Sequence, residues 1–589
     1  MFACGTVTRL LGPYDISTSR LPKLTGQMTI RCRGIEQPVI KPNSIHDRFT
    51  RSTGANVAQS LRISWTDRLV IVATCVIGLW LWSVSSVDFL SNDGAQYLST
   101  VDQILAGHGV RTTTIYYDVQ ASNGIPALQT IWPPGLPALV ALVAKTARLS
   151  SASAYGLVNA AAHGATVLLV YWILRRWLAI TLAAAMACGL LFYSVNWQLA
   201  LGGLSEPLFT FCAIIASASL VKAFETNRPS HWWLAVAGLA TGATFLVRYV
   251  GIAFAGSLAL VALFEWRRRT DKKAALVDVA MLLGPAALLI SGLFLRNLMG
   301  IGRLTGAVSA ARGLTVPELM FQTKWALVSL LGGGETLPAR ATGVMLLAAG
   351  SAWITCVILD ARRGAKAHTL TAGRQAVAVY ALSGAAGLIV LVYTMALRKT
   401  GVSIEGRYFA PCIPMLLIGA AASWPASTKS MSRWRRPLAV AVAVFTVALL
   451  ALNALAVPAW LQGNTGPRQI ARALGAEHQS QTLRQLLTEA ASDNTPVLSN
   501  QSQALHIVLR RPTLGVPERR LTPTVWSPDE ILRVARRFGS RHLVIFRAMP
   551  LGGRDGSEDY VWRIAGREPP GLIKVHQDES VILYQISPR

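Results

Sequence analysis

The chain is short of charge. Only 14% of its 589 residues are Asp, Glu, Lys or Arg, where a soluble domain carries about 25%. Hydrophobic residues make up 52%, and the mean hydropathy is +0.41. Long apolar runs with few charges mark a polytopic membrane protein. Cysteine is scarce too. The seven cysteines (Cys4, Cys32, Cys75, Cys188, Cys212, Cys356 and Cys412) form no CxxC pair and leave the hydrophilic C-terminal region empty. This excludes a disulfide framework and a cysteine-based metal or redox site. Carboxylates are almost missing from the middle of the apolar runs, where an ion-coupled transporter needs an ionisable group. The net charge of +27 would suggest nucleic acid in a soluble protein. Here most Lys and Arg lie in short loops between apolar runs, so they are a topology signal and a contact for anionic membrane lipids, and no nucleic-acid partner is expected.

Residues 1–65 are polar and basic with no periodicity, which reads as a disordered cytoplasmic tail in which Met28 is an alternative start. Apolar runs of spanning length follow at 68–88, 153–173, 178–198, 205–223, 233–249, 250–264, 276–295, 343–360, 375–396, 408–424 and 437–460. The fold class expected is an all-α polytopic membrane protein of about eleven transmembrane helices, with a small C-terminal α/β extramembrane domain. With the N-terminus cytoplasmic, the clusters Arg175-Arg176, Arg267-Arg268-Arg269 with Lys272-Lys273, Arg362-Arg363 and Arg433 to Arg436 all fall inside, as the positive-inside rule requires. Arg398-Lys399 is the exception. The run 134–148 must then not span, and it reads as a helix at the outer interface. This topology divides the chain into the tail 1–65, a membrane domain 66–460 with a long first outer loop 89–152, and an outer domain 461–589. In that last segment 495–500 and 542–546 read as strands, 528–537 as a helix capped by Ser527, and 571–576 with 580–586 as a hairpin.

The acidic residues collect at the outer ends: Asp93, Asp102, Asp118, Glu206, Glu335 and Glu405. That places chemistry at the outer surface. Asp93 follows the first span by a few residues; as a structural element it would be an interfacial N-cap for 94–106. Glu206 begins a helix after Ser205, with Pro207 in the first turn, and could also be a cap. Brought into one cleft, the two could act as general base and orienter or bind a metal. Arg248, Arg296 and Arg407 also map to outer helix ends. Arginines there can snorkel, or they can clamp a phosphate with their planar forks. His108 has no ligand-spaced partner for zinc.

Taken in order, six motifs resemble the GT-C membrane glycosyltransferases, nearest to the family 39 type. That type includes protein O-mannosyltransferases, the bacterial aminoarabinose transferases acting on lipid A, and their bacterial relatives. The motifs are Asp93-Gly94-Ala95-Gln96-Tyr97-Leu98, Trp132-Pro133-Pro134-Gly135-Leu136-Pro137, Leu204 to Phe209, Phe245 to Gly251, Leu295-Arg296-Asn297 and Gly406 to Pro411. The resemblance covers roughly 65–420. It implies a polyprenyl-phosphate sugar donor, a lipid, glycan or protein acceptor, and an active site on the outer face of the plasma (inner) membrane. It assigns the catalytic base to Asp93 and a second acidic role to Glu206. Arg407, Arg248 and Arg296 become candidates for the donor phosphate, and Tyr97, Trp132, Glu405 and Tyr408 for substrate contact. No cofactor is implied with certainty, and the metal question stays open, with a divalent cation one option. Two departures count against a protein O-mannosyltransferase: Asp93 is followed by Gly94 rather than Glu, and nothing suggests a MIR β-trefoil domain. One base and no nucleophile at retaining spacing imply inversion at the anomeric carbon. The alternative reading is a non-catalytic binder or exporter of lipid-linked saccharide.

Overall fold

A computed structural model describes residues 64–86, 90–115, 124–225, 229–306, 313–330, 371–398, 404–423, 495–516, 527–546, 569–577 and 581–587. The expected spans 343–360 and 437–460, the tail, Asp118, Glu335 and Lys399 lie outside them. The described residues belong to one unit, Ser64–Arg589.

Helix α1 (Trp65–Val84) starts at a capping box. Asp67 N donates to Ser64 Oγ at 3.2 Å, and Ser64 N donates to Asp67 Oδ2 at 2.7 Å, so two orphan donors are satisfied reciprocally. One stripe, with Val70 and Leu81, is buried. Leu69, Val72, Val76 and Leu79 are exposed, the pattern of a helix whose outer face meets lipid rather than water. Helix α2 (Asn92–Leu105) follows, then the short strands β1 (Arg111–Thr112), β2 (Thr114–Ile115) and β3 (Ala127–Leu128). Helix α3 (Gly135–Ala147) has 13 residues. At 1.5 Å per residue it is about 20 Å long, short of the ~30 Å hydrocarbon core, in keeping with its reading as non-spanning.

The bundle continues with α4 (Ser151–Arg175), α5 (Ile180–Leu191), α6 (Ser194–Leu201), α7 (Glu206–Ala223), α8 (His231–Val247), α9 (Ile252–Arg268), α10 (Lys272–Ile301), α11 (Val316–Leu330), α12 (Ala372–Leu397), the single turn α13 (Gly406–Phe409) and α14 (Cys412–Ser423). Among the described residues six helices are long and apolar enough to cross a membrane, or seven if the bent pair α5–α6 is one span. The 178–198 run is therefore not one straight helix. α5 and α6 meet at 45°, and the cause is local. Trp197 Nε1 donates to Leu191 O at 2.7 Å, and His163 Nε2 lies 3.2 Å from the same carbonyl. Side chains thus take over a carbonyl that the helix ladder would otherwise use.

Beyond 494 the readings 495–500, 528–537, 542–546 and 571–586 correspond to β4 (Val497–Ser499), α16 (Pro528–Phe538), β6 (His542–Phe546) and the antiparallel pair β7 (Leu572–Gln577) and β8 (Val581–Ile586). Ser527 caps α16 in a capping box with Glu530. Helix α15 (Ser502–Leu509) and strand β5 (Thr513–Gly515) lie between them. The sheet order is β2-β5-β4-β6-β8-β7. Its first strand comes from the first loop, with Thr114 and Ile115 pairing in parallel with Thr513 and Leu514. Ile115 is buried in one apolar cluster with Leu498, Leu514, Ile531 and Ile545. The C-terminal sheet and the first loop therefore share a core, and both must lie on the same side of any membrane.

Candidate active site

The site is built where the start of α2 meets the turn before α7. Ser91, not Asp93, caps α2: its Oγ accepts from Gly94 N at 3.0 Å. Asp93 stands in the first turn of α2 as its acidic residue, which replaces the N-cap reading of that residue. Ser91 N donates to Gly202 O at 2.8 Å. A Cβ on Gly94 would sit 2.7 Å from Gly202 O. Only glycine lets these backbones approach, a physical reason why no Glu follows Asp93.

Asp93 is 8% exposed, and its Oδ2 accepts from Arg407 Nη1 at 2.7 Å. Arg407 Nε also lies 2.7 Å from Glu405 Oε2. That second contact is an ion pair without a well-directed hydrogen bond, since Nε has no aligned acceptor. A parallel pair lies close by. Arg248 ends α8 in an extended conformation (φ −148°, ψ 135°), which breaks the helix and turns its side chain inward. Its Nη1 is 2.7 Å from Glu206 Oε1 and donates to Ser205 Oγ at 3.0 Å. Glu206 is 1% exposed, and neither of its carboxylate oxygens receives a directed hydrogen bond. It therefore faces Arg248 rather than capping its own helix. The two pairs share the Tyr408 ring, with Arg248 Cζ 5.5 Å and Arg407 Cζ 5.2 Å from its centroid, within reach of a cation–π attraction.

Tyr97 lies one turn beyond Asp93. Its hydroxyl donates to Ser205 Oγ at 3.1 Å, and its ring centroid is 5.9 Å from that of Trp132. Burial pushes the Tyr97 phenol well above its ordinary value, an effect that Arg248 and Ser205 only partly oppose, so at neutral pH it is a donor and not a base. The Trp132 indole N–H is buried without a partner. Burial alone would depress the Arg407 guanidinium, but Tyr408, Asp93 and Glu405 outweigh it and hold it fully charged.

The structure thus gathers Asp93, Glu206, Glu405, Arg248, Arg407, Tyr97, Trp132 and Tyr408. Arg296 is not among them. Its Nη2 donates to Val110 O at 3.2 Å and Gln129 O at 3.0 Å, and its Nη1 to Asn297 Oδ1 at 3.1 Å. These bonds tie α10 to the first loop and give no support to a phosphate contact.

Two contributors escape a reading of the sequence. Ser205 is fully buried and accepts from both Tyr97 and Arg248. Gln322 on α11 uses Oε1 to accept from Ile404 N at 2.8 Å, and so holds the approach to Arg407 from 82 residues away. Ser205 was visible in its motif; Gln322 left no signal. Among the described residues no three His, Cys, Asp or Glu side chains converge on a metal position. Each of the three site carboxylates faces a guanidinium instead.

No protein-family model matches the chain, and no curated protein matches it. Among solved structures it is similar to ArnT from Cupriavidus metallidurans bound to undecaprenyl phosphate. That match has a TM-score of 0.51 and 15% identity, over 87% of this chain and 97% of that one. For the same protein in the apo state the TM-score is 0.52 at 14% identity, over 91% and 99%. The chain has the GT-C fold. The resemblance drawn from its motifs therefore holds at the level of fold.

Proposed function

We propose that this GT-C chain is a membrane glycosyltransferase. It moves a sugar from a polyprenyl-phosphate donor to a hydroxyl of a lipid, glycan or protein acceptor on the outer face of the plasma membrane. The observation that carries this reading is the buried Asp93–Arg407 pair at 2.7 Å, joined through Tyr408 to Arg248 and Glu206. It sets a carboxylate base beside two planar cations at the junction of the bundle with its first loop. A solved relative in fold, ArnT, holds undecaprenyl phosphate, which supports a lipid phosphate as the donor's leaving group.

The chemistry follows from the groups present. Asp93 takes the proton of the acceptor hydroxyl as that oxygen attacks the anomeric carbon. The bond from that carbon to the phosphate oxygen breaks, and polyprenyl phosphate leaves. Its growing negative charge falls to Arg407 and Arg248, whose forks match phosphate geometry. The leaving group is already stable as an anion, so no general acid is required, and direct attack inverts the anomeric centre. Without donor, Arg407 neutralises Asp93. The donor phosphate competes for the same guanidinium and frees the Asp93 carboxylate to face the acceptor hydroxyl. Arg296 fixes the first loop rather than the donor. The C-terminal sheet lies on the same side as Asp93 because β2 belongs to it, in keeping with an outward C-terminal domain and a cytoplasmic N-terminus.

The test compares Arg407→Ala with Arg407→Lys in proteoliposomes supplied with a polyprenyl-phosphate sugar. The expected outcome is a rise in donor KM of about tenfold or more for Ala, the scale of one lost charge-assisted hydrogen bond, with partial retention in Lys. Unchanged donor KM in Arg407→Ala would remove Arg407 from donor binding.

A further inference from the structure

Helix α2 carries Asp93 in its first turn, and two parts of the fold hold that helix. The bundle holds it through Ser91 N on Gly202 O and the Tyr97 hydroxyl on Ser205. The first loop and the C-terminal sheet hold it from elsewhere. Gln96 is fully buried, and its Nε2 donates to Thr114 O at 3.1 Å. Ser99, also fully buried, accepts from Thr113 N at 2.9 Å. Thr113 O in turn accepts from Thr513 N at 3.0 Å. A continuous path of hydrogen bonds therefore runs from α2 through β2 to β5. Ile507 of α15 adds an apolar contact: it is buried in the bundle's own cluster with Ala95, Leu98 and Val101.

The residue type at 96 fits this role. Strand β2 is at the edge of its sheet, and an edge strand presents backbone groups that no strand pairs. Thr113 O is spent on β5, so the Thr114 carbonyl faces the open edge. The Gln96 amide supplies a donor there. An apolar side chain of the same length would fill the space without making the bond, and the carbonyl would keep only Thr112 Oγ1 at 3.2 Å. Position 96 therefore ties rather than fills. The tie is also close to the chemistry. Asp93 and Gln96 are three residues apart, so they are neighbours on the helix surface, about 4.5 Å apart along its axis.

We propose that the C-terminal sheet supports catalysis by holding α2, and that Gln96 is the positioning residue through which it fixes Asp93. This rests on the transferase reading with Asp93 as base, and the test keeps the two apart. Gln96→Met retains the side-chain length and removes the amide. Its first readout is transfer from a polyprenyl-phosphate sugar by the full chain, with kcat and donor KM determined separately per folded molecule. Its second is amide hydrogen exchange along α2, which reports local opening and uses no transfer. The expected result is a kcat lowered by roughly 10–100-fold, the scale of a base displaced by up to about 1 Å. Donor KM stays near that of the wild type, and exchange speeds up in α2 but not in α10. A residue that only held the fold together would lower Tm and leave kcat of the folded molecules unchanged; that result overturns the proposal. So does exchange in α2 at the wild-type rate. If Gln96→Met does not fold, Ser99→Ala, which loses the second tie, carries the same two readouts and the same expectations. A wild type that performs no transfer overturns the transferase reading and the positioning of a base with it, while exchange in α2 still shows whether the tie exists.

Discussion

Gly406 is the position at which a single methyl group should most clearly separate catalysis from stability. It opens the turn that carries Arg407, and it lies against α11. A Cβ at this position would stand 2.1 Å from Ser329 Oγ and 2.9 Å from Ala326 O, against an ordinary contact of 3.4–4 Å. Ser329 can rotate away, at the cost of its 2.8 Å bond to Ala326 O. The carbonyl of Ala326 is fixed in a helix and cannot. The turn must therefore shift by a fraction of an ångström or more, a strain of about 1–3 kcal/mol by analogy with overpacked cores. The Arg407 guanidinium moves with it, away from its 2.7 Å contact with Asp93. Misplacing a catalytic constellation by about 1 Å costs on the order of 10²-fold. We predict that Gly406→Ala lowers kcat/KM for transfer from a polyprenyl-phosphate sugar by roughly 10–100-fold while the protein still folds with a modestly lower Tm. Adding Ser329→Gly should recover part of the loss. Gln322→Ala, which leaves the Ile404 N–H without its acceptor, should shift activity the same way. Wild-type kcat and KM in Gly406→Ala would refute the placement of Arg407 in the reaction.

Arg296→Ala should act on the loop and not on the donor. It removes three hydrogen bonds to Val110, Gln129 and Asn297, each worth about 0.5–1.5 kcal/mol, so Tm should fall while donor KM changes little in the folded fraction; a selective rise in KM would return Arg296 to the phosphate. His506 gives a pH signature outside the membrane. Burial holds its pKa below the ordinary 6.5, a depression that its bond to Arg511 O and the nearby Asp102 only partly offset. The unfolded chain then takes up the proton first, so stability present above pH 6.5 is lost as pH falls below it. Unfolding midpoints measured down a pH series should drop less steeply in His506→Gln, and identical slopes would discard the assignment.

The bundle was legible because lipid imposes long apolar runs with few charges. After 494, the strands at 497–499 and 542–546 and the hairpin at 572–586 were legible from short apolar or alternating runs, while β5 (Thr513–Gly515) was not. What the sequence hid is non-local. Nothing in Thr114-Ile115 says that they pair with Thr513-Leu514, because parallel pairing across that separation has no local signature. The bend between α5 and α6 depends on Trp197 and His163 reaching one carbonyl, which hydropathy does not report. In the site, Asp93, Glu206, Arg248 and Arg407 stood out as charged residues at helix ends in otherwise apolar sequence. Their pairing as two ion pairs about Tyr408 did not stand out, and Arg296 looked equivalent to the other arginines until its donors were seen on the first loop. Ser205, though inside its motif, and Gln322 act through hydrogen bonds alone, and an uncharged side chain carries no mark of that role.

The central claim is that Asp93 is the base, and turnover by purified Asp93→Asn tests it most directly. Asn keeps the volume, and Ser91 still caps α2, so folding should persist. The measurement is transfer from a polyprenyl-phosphate sugar to an acceptor under saturating donor, with donor binding followed separately. The account predicts a turnover lowered by roughly 10²–10⁴-fold, the contribution of a positioned general base, with donor binding changed only a few-fold. Turnover near that of the wild type in Asp93→Asn would contradict it.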